Sequence, residues 1–488
     1  MPASADTPIG DLGLHPRTVA AAVALIIVLG FAIRAVTFKA PLLDHHAWRQ
    51  ADTAAMSRNF LRDDMNPLHP QVDWRGAMES GRVETGFELF AYLVAILSLA
   101  GGFNPEAGRL LSALLFVGSA TMVYGFSRRR WGDGPGLVAV FVYTFGMPLA
   151  MYFDRAFMNE SLLMFLCVTS LWSAQRYVEE GRTSRWVVVI LATTLIALVK
   201  LPYLIVWAPI AGLFVERGGL RAVLRPSLIL MAAINVTAAA LWFWQIGIAA
   251  AETGLTVGFT NKLFTADRVF TWNFVERIVL KLLRDVFAVT VVFVLWGAVV
   301  AWRRGRLAEN LGLAGFVVYV LAVAEGVFHH DYYLLPLGMT AAPLAALGIV
   351  HGAVPALTRF SRESALAIVL SLILISSFVR AASFHSWYEW DASEADLCHA
   401  GPSLLKPRER VLFADIDTPQ LMFCLDVQGW LFGRNEPATS LDRARTEGAT
   451  AIVVPNEATA QTAAWLEGVG QEVYRNHRLR VVRLTPLD

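Results

Sequence analysis

Phe87-Glu-Leu-Phe-Ala-Tyr-Leu-Val-Ala-Ile-Leu-Ser-Leu-Ala100 is the run on which the whole topology turns. It is apolar, but it is shorter than the roughly 20 residues a crossing helix needs, and it carries Glu88 at its head. It reads as a helix lying in the membrane interface. Charge supports that choice. If 87–100 does not cross, the clusters Arg128-Arg129-Arg130, Arg176/Arg182/Arg185, Arg217/Arg221/Arg225, Arg303-Arg304/Arg306 and Arg359/Arg362 all share a side with Arg17. The positive-inside rule makes that side cytoplasmic. If the run did cross, every later cluster would lie outside.

Composition explains why spans are the right currency. Of 488 residues, 56% are of the types Ala, Val, Ile, Leu, Met, Phe, Trp, Tyr and Cys and 17% are charged, too apolar for an ordinary water-soluble chain of this length. About eleven windows are candidate spans. They are Thr18–Phe38, Arg109–Phe126, Pro135–Tyr152, Ser161–Tyr177, Trp186–Val199, Pro202–Val215, Pro226–Ile248, Val286–Trp302, Leu311–Phe328, Tyr332–Val350 and Ala365–Phe384. Thr18–Phe38 is long for a signal peptide and lacks a small-residue cleavage site, so it reads as the first anchor. A net charge of +1 gives no reason to expect a nucleic-acid partner.

The fold class is a polytopic α-helical membrane protein: a membrane region 1–384, with a large first outer loop at 39–107, and a soluble extracytoplasmic domain at 385–488. In that tail, Arg410–Asp415, Ala451–Pro455 and Arg480–Leu484 alternate like strands and Ala458–Leu466 reads as a helix, which makes a small α/β domain. Cys398 and Cys424 fall there, as a disulfide or as two buried thiols. Cys167 sits inside a span and reads as packing. Asp415-Ile-Asp417-Thr-Pro and Gly429-Trp430 stand out without an assigned role. The outer loops collect most of the acidic, His and amide residues near membrane ends: 39–87, Phe153-Asp154-Arg155 before Asn159-Glu160, the Lys200 junction, 250–284 and His329-His330-Asp331.

The sharpest signal follows the first anchor: Asp44-His45-His46-Ala-Trp48-Arg49-Gln50-Ala-Asp52-Thr53, then Arg58, and later Glu84 and Glu88. A carboxylate at the lipid boundary amid His, Trp, Arg and Gln suits a polar substrate. Asp44 can take a proton from an attacking hydroxyl or amine. Trp48 can stack on a sugar face, with His46, Arg49, Gln50, Asp52, Arg58 and Glu88 as further substrate contacts. The alternative is structural, with Asp44 and Asp52 paired to Arg49 and Arg58 to hold the loop.

These residues carry a resemblance. The acidic residue heading a large outer loop, His-x-Trp-Arg-Gln-x-Asp-Thr behind it, Glu84-x-x-x-Glu88, Gly108-Arg109-Leu110 and His330-x-Tyr332-Tyr333-x-x-Pro336, in that order, resemble the GT-C superfamily of polyprenyl-phosphate-sugar-dependent glycosyltransferases. The likeness is strongest to bacterial relatives of protein O-mannosyltransferases and the lipid A aminoarabinose transferase. It implies Asp44 as catalytic base, an interfacial helix before the second span, and a glycan, lipid or protein acceptor. Glu84-Thr-Gly-Phe and Met158-Asn159-Glu160 depart from the common forms of these motifs, though Glu84 and Glu160 remain.

A polyprenyl phosphate keeps its tail in lipid and its phosphate at the interface, so cations are needed just above the hydrocarbon. Lys200, with Arg155 and His330, fits that need, and Tyr332 and Tyr333 can donate hydrogen bonds. Glu84 would shape the sugar or acceptor site, with Asp154 and Glu160 as further substrate contacts. The structural alternatives are a snorkelling Lys200 and an interfacial tyrosine belt. The reaction calls for no cofactor; a divalent ion at Asp44, His45 and His46 is the one candidate. The rival classes are a transporter or lipid flippase, which should show inverted repeats and helices broken near the midplane, and a non-catalytic assembly protein.

Overall fold

The computed structural model describes residues 15–257, 263–434 and 436–487, so the first 14 residues and part of the expected loop 250–284 lie outside the described residues. The chain divides into two compact units. One comprises Met1–Phe38, Arg109–Trp244 and Gly258–Ser383; the other comprises Lys39–Gly108, Gln245–Val257 and Phe384–Asp488.

The first unit is helical and built for lipid. Among the described residues, six helical segments are long and apolar enough to cross a bilayer: Pro16–Ala35, Pro105–Trp131, Thr183–Gly218, Pro226–Thr253, Asp331–Ala356 and Arg362–Ala382. Asp133–Phe145, Thr290–Arg303 and Ala308–Ala322 are shorter apolar helices. Each of the eleven windows read from the sequence coincides with helix, but several are interrupted. Thr183–Lys200 ends where Lys200 turns to φ −159°, ψ 89°, and a 3-10 turn at Leu201–Val206 leads into Trp207–Gly218. A six-residue helix, Pro148–Phe153, follows the break after Asp133–Phe145. There Thr290 Oγ1 donates to the Gly146 carbonyl at 3.0 Å, satisfying a group the broken helix leaves open.

Burial separates core from lipid face. In Asp331–Ala356 the apolar window is 94% buried, against 22% in Pro16–Ala35 and in Arg362–Ala382. Leu25, Val28 and Leu29 accordingly stay exposed, as side chains meeting acyl chains should. Two glycines let the buried helix approach Thr290–Arg303: a Cβ on Gly297 would lie 1.7 Å from the Leu344 carbonyl oxygen, and one on Gly348 would lie 2.0 Å from that of Phe293.

At the end of Pro105–Trp131, Arg130 knits three helices together. Its Nε donates to Glu309 Oε1 at 2.6 Å and its Nη2 to Glu216 Oε1 at 2.8 Å, and Glu216 Oε1 also accepts from the Leu307 and Ala308 backbone N–H groups. All three side chains are buried, so removing the guanidinium takes the principal counter-ion from two buried carboxylates. Arg130→Ala is expected to cost about 3–5 kcal/mol of unfolding free energy in mixed detergent. Exposed Arg303→Ala should change the same measurement little.

The second unit contains a five-stranded sheet: β1 (Arg410–Ala414), β2 (Gln428–Phe432), β3 (Ala451–Pro455), β4 (Gly470–Arg475) and β5 (Leu479–Leu484), in the order β2-β1-β3-β5-β4. β1, β2 and β3 are parallel; β5 runs antiparallel to β3 and β4. Side chains alternate between two cores. Val411, Phe413, Val453 and Val481 join Leu397 and Leu421 on one face, while Leu412, Ile452, Val454 and Val482 join Leu441 and Ala444 on the other. That double burial is why β1 and β3 read as nearly unbroken apolar runs. The sequence expectation located β1, β3 and β5 and the helix Ala460–Leu466, and missed β2 and β4. A disulfide joins Cys398 and Cys424, resolving the two readings the sequence left open.

The loop behind the first span packs with this tail. Arg58 Nη2 pairs with Asp73 Oδ2 at 2.7 Å, and Arg58 Nη1 donates to the Phe423 carbonyl and pairs with Asp426, both at 2.9 Å. The Gly429 N–H donates to the Asp73 carbonyl at 3.1 Å, and the Gly76 N–H returns a bond to the Gly429 carbonyl at 2.7 Å.

Candidate active site

The helix Ala47–Arg62 carries most of the sequence-predicted residues. Its N-cap, His46, takes the left-handed conformation (φ 57°, ψ 33°), which is uncommon outside glycine and turns the chain sharply between Asp44 and the helix. Asp44 is buried, and Gln50 Nε2, one turn into the helix, donates to its Oδ1 at 2.5 Å and to the His45 carbonyl at 3.0 Å. Gln50 thus sets the carboxyl's orientation from a rigid element. The His45 ring stacks on Trp387 at 4.0 Å between centroids, and its backbone N–H donates to the Trp387 carbonyl. His46 lies against His45 at 4.1 Å, and Trp48 is half-buried.

One turn on, Arg49 Nη2 pairs with buried Glu88 Oε1 at 3.2 Å, an oxygen that also accepts from Thr85 Oγ1 at 2.9 Å. Asp52 Oδ1 accepts from Trp74 Nε1 at 2.9 Å. Arg58 belongs to the loop–tail anchorage described above. Its acidic partners are Asp73 and Asp426, where the structural alternative had matched it to Asp44 or Asp52. Glu84 is half-buried and held through its backbone, its N–H donating to the Leu255 carbonyl and its carbonyl accepting from Val257. Leu89–Leu97 is a nine-residue helix, spanning about 14 Å at 1.5 Å per residue.

In the other unit a cation sits among aromatic rings. Lys200 Nζ pairs with Glu160 Oε1 at 2.9 Å and lies 3.9, 4.7 and 5.0 Å from the ring centroids of Tyr333, Tyr332 and Tyr203. His330 stacks on Tyr332 at 5.3 Å, and Phe153 meets the same ring edge-on at 5.7 Å. Arg155 is buried against Tyr152 at 4.3 Å. Lys200, His330, Tyr332, Tyr333 and Glu160 are therefore one cluster. Asp154 is turned elsewhere, to Arg34 Nη2 at 2.9 Å.

Sequence reasoning overlooked Trp74, Trp387, Thr85, Tyr203 and Arg34. Arg34 had a signal, since an ionisable residue inside an apolar span asks for a partner. Trp387 had a weaker one, an aromatic just past the last span. Nothing in the sequence marked Trp74 as the partner of Asp52.

Residues 88–244 match the family described as dolichyl-phosphate-mannose-protein mannosyltransferase. The fold is similar to that of ArnT from Cupriavidus metallidurans bound to undecaprenyl phosphate, with a TM-score of 0.67 over 96% of this chain and 98% of that one at 13% identity. The apo form of the same enzyme gives 0.68 over 95% and 98%, also at 13% identity. The Archaeoglobus fulgidus oligosaccharyltransferase in its apo form gives 0.57 over 92% of this chain and 73% of that one, at 12% identity. No curated protein sequence matches. The chain is thus an α-helical integral membrane protein whose fold is that of ArnT and of the archaeal oligosaccharyltransferase. Its similarity to ArnT runs through the small C-terminal sheet domain as well as the helices.

Asp52 generates a test of the local electrostatics. Burial pushes its carboxyl from an ordinary 3.8 up to about 7; Asp73 and Glu88 push the same way, while the Trp74 hydrogen bond and Arg49 pull down. Below about pH 4 both folded and unfolded chains carry the proton. From there to about pH 7 only the folded chain keeps it, so the stabilisation is lost as pH rises through 7, on the order of 4 kcal/mol in all. Asp52→Asn, which still accepts from Trp74 and does not titrate, should flatten the fall in apparent melting temperature between pH 5 and pH 8. Equal slopes for both proteins would refute the assignment.

Proposed function

We propose that this protein is a membrane glycosyltransferase that moves one sugar from a polyprenyl-phosphate-linked donor to an extracytoplasmic acceptor. The observation that carries the reading is Asp44: a buried carboxyl, oriented by Gln50 at the head of a helix, in a chain of GT-C fold. The ArnT likeness supports the donor class, since that enzyme was captured with undecaprenyl phosphate. The acceptor is a lipid, polysaccharide or protein of the cell envelope. A transporter or flippase draws no support from these likenesses.

In the scheme, the acceptor hydroxyl or amine gives its proton to Asp44 as its lone pair attacks the anomeric carbon. The bond from that carbon to the phosphate oxygen breaks, and its electron pair leaves on the phosphate. Lys200, Arg155 and His330 stabilise the growing negative charge, with Tyr332 and Tyr333 as hydrogen-bond donors. Direct displacement inverts the anomeric centre. Glu84, Glu88, His46, Trp48, Arg49, Gln50 and Asp52 are the residues assigned to sugar and acceptor, with Glu160 beside Lys200. The oxidised Cys398–Cys424 pair supports a plasma-membrane protein whose tail and active site face the extracytoplasmic space.

Purified protein in nanodiscs, supplied with polyprenyl-phosphate sugars and envelope acceptor fractions, tests the scheme. Asp44→Asn is expected to lower transfer by about 10²–10⁴ with unchanged expression and melting temperature. Lys200→Gln should raise KM for the donor as well as lower kcat, because the phosphate is held in both ground and transition states. Transfer at the wild-type rate by Asp44→Asn would remove Asp44 as the base.

A further inference from the structure

We infer that the cleft beside β2 is a saccharide-binding subsite. It encloses about 560 Å³, within the usual range of roughly 300–1,000 Å³ for small-molecule sites. Trp74, Trp430, Phe432 and Leu255 give it an apolar floor, and Arg443, Glu447 and Ser440 supply the polar groups of its wall.

β2 is an edge strand, and its backbone parity shows what the cleft offers. Gln428 and Phe432 bond inward, through Gln428 N–H to the Glu409 carbonyl and Ile416 N–H to the Phe432 carbonyl. Gly429 bonds outward, to Asp73 and Gly76. Leu431, two residues on, therefore turns its N–H and C=O outward as well, into the cleft it lines. The strand ends at Phe432, so among the described residues one residue's donor and acceptor stand open there.

Those features discriminate among ligands. An acyl chain would bury the Leu431 N–H and C=O without partners, at a cost of about 1–3 kcal/mol per group. An extended peptide needs several consecutive edge residues, and residues 73–76 already occupy the edge at Gly429. A phosphate needs net positive charge, but both guanidiniums of the lining are paired, Arg443 Nε with Glu447 Oε1 at 2.8 Å and Arg75 Nη2 with Asp63 Oδ2 at 3.4 Å. A pyranose has an apolar C–H face and a rim of hydroxyls, each both donor and acceptor. An aromatic floor edged by one backbone pair and one Arg–Glu pair matches that pattern. Arg443 is 78% exposed at its side chain, so closing over a sugar requires only a rotamer change. Assigning this site to the acceptor glycan rests on the transferase reading; saccharide binding itself does not.

Full-length protein in nanodiscs, passed over immobilised neutral hexose and N-acetylhexosamine di- to tetrasaccharides, tests the inference. Wild type is expected to bind at least one of them. Arg443→Ala/Glu447→Ala should weaken that binding about tenfold or more, as loss of charge-assisted hydrogen bonds does. Ser440→Trp, which fills the cleft from an accessible helix, should abolish it, while Asp44→Asn should retain it. Wild type binding no saccharide, or binding unchanged in both cleft variants, would overturn the site, as would a peptide or inorganic phosphate bound in its place and lost in the same variants. Saccharide binding together with undiminished transfer by Asp44→Asn would leave the site standing and remove the proposed catalytic base.

Discussion

The helix that carries Gln50 and Asp52 is fixed near its far end by one buried guanidinium. Arg58 contacts Asp73, the Phe423 carbonyl and Asp426, and its planar head lies 4.6 Å from the Phe423 ring centroid. A guanidinium this buried is tolerated because its charge is matched and both of its Nη groups are paired. Asn59 adds two bonds, to Asp73 Oδ1 at 2.9 Å and to the Gln71 carbonyl at 3.0 Å. With that end pinned, the other end has little freedom, and Gln50 can hold Asp44 in one orientation. The carboxyl at the head of the helix thus owes its placement to contacts made by Arg58 and Asn59, two turns or more further along.

The membrane helices were legible because lipid imposes one rule on every span: enough apolar residues to cover the hydrocarbon, with backbone groups satisfied within the segment. Their interruptions were less legible. The turn at Lys200 and the break at Gly146 depend on which neighbouring groups take up the released backbone, such as Thr290 at Gly146, and such partners leave no local trace. In the tail, β1 and β3 announced themselves by apolar runs buried on both faces. β4, with the pattern of a solvent-facing edge strand, did not.

The candidate site divides the same way. Asp44, Arg49 and Gln50 were recognisable as a set because they stand together in sequence, and Lys200, His330, Tyr332 and Tyr333 because each sits beside an apolar run. Trp74 and Trp387 were not recognisable as partners. Each matters through a contact with a side chain far away in the chain, Trp74 with Asp52 and Trp387 with His45. Arg58 shows the converse: a charge read as a substrate contact is taken up in anchoring the loop to the tail.

That anchorage bears on how the chain matures. The bond from Arg58 to Phe423 joins residues 365 apart, and the Gly429–Asp73 pair is similarly remote. At roughly 5–20 residues per second, a ribosome takes about 18–70 s to travel that distance. During this interval Arg58 and Asp73 have emerged without their C-terminal partners, and the segment bearing Asp44 lacks its final support. The earliest-made soluble part of this protein is therefore among the last to settle, and a nascent chain stalled before Phe423 would present an unfinished loop to the proteases of its compartment.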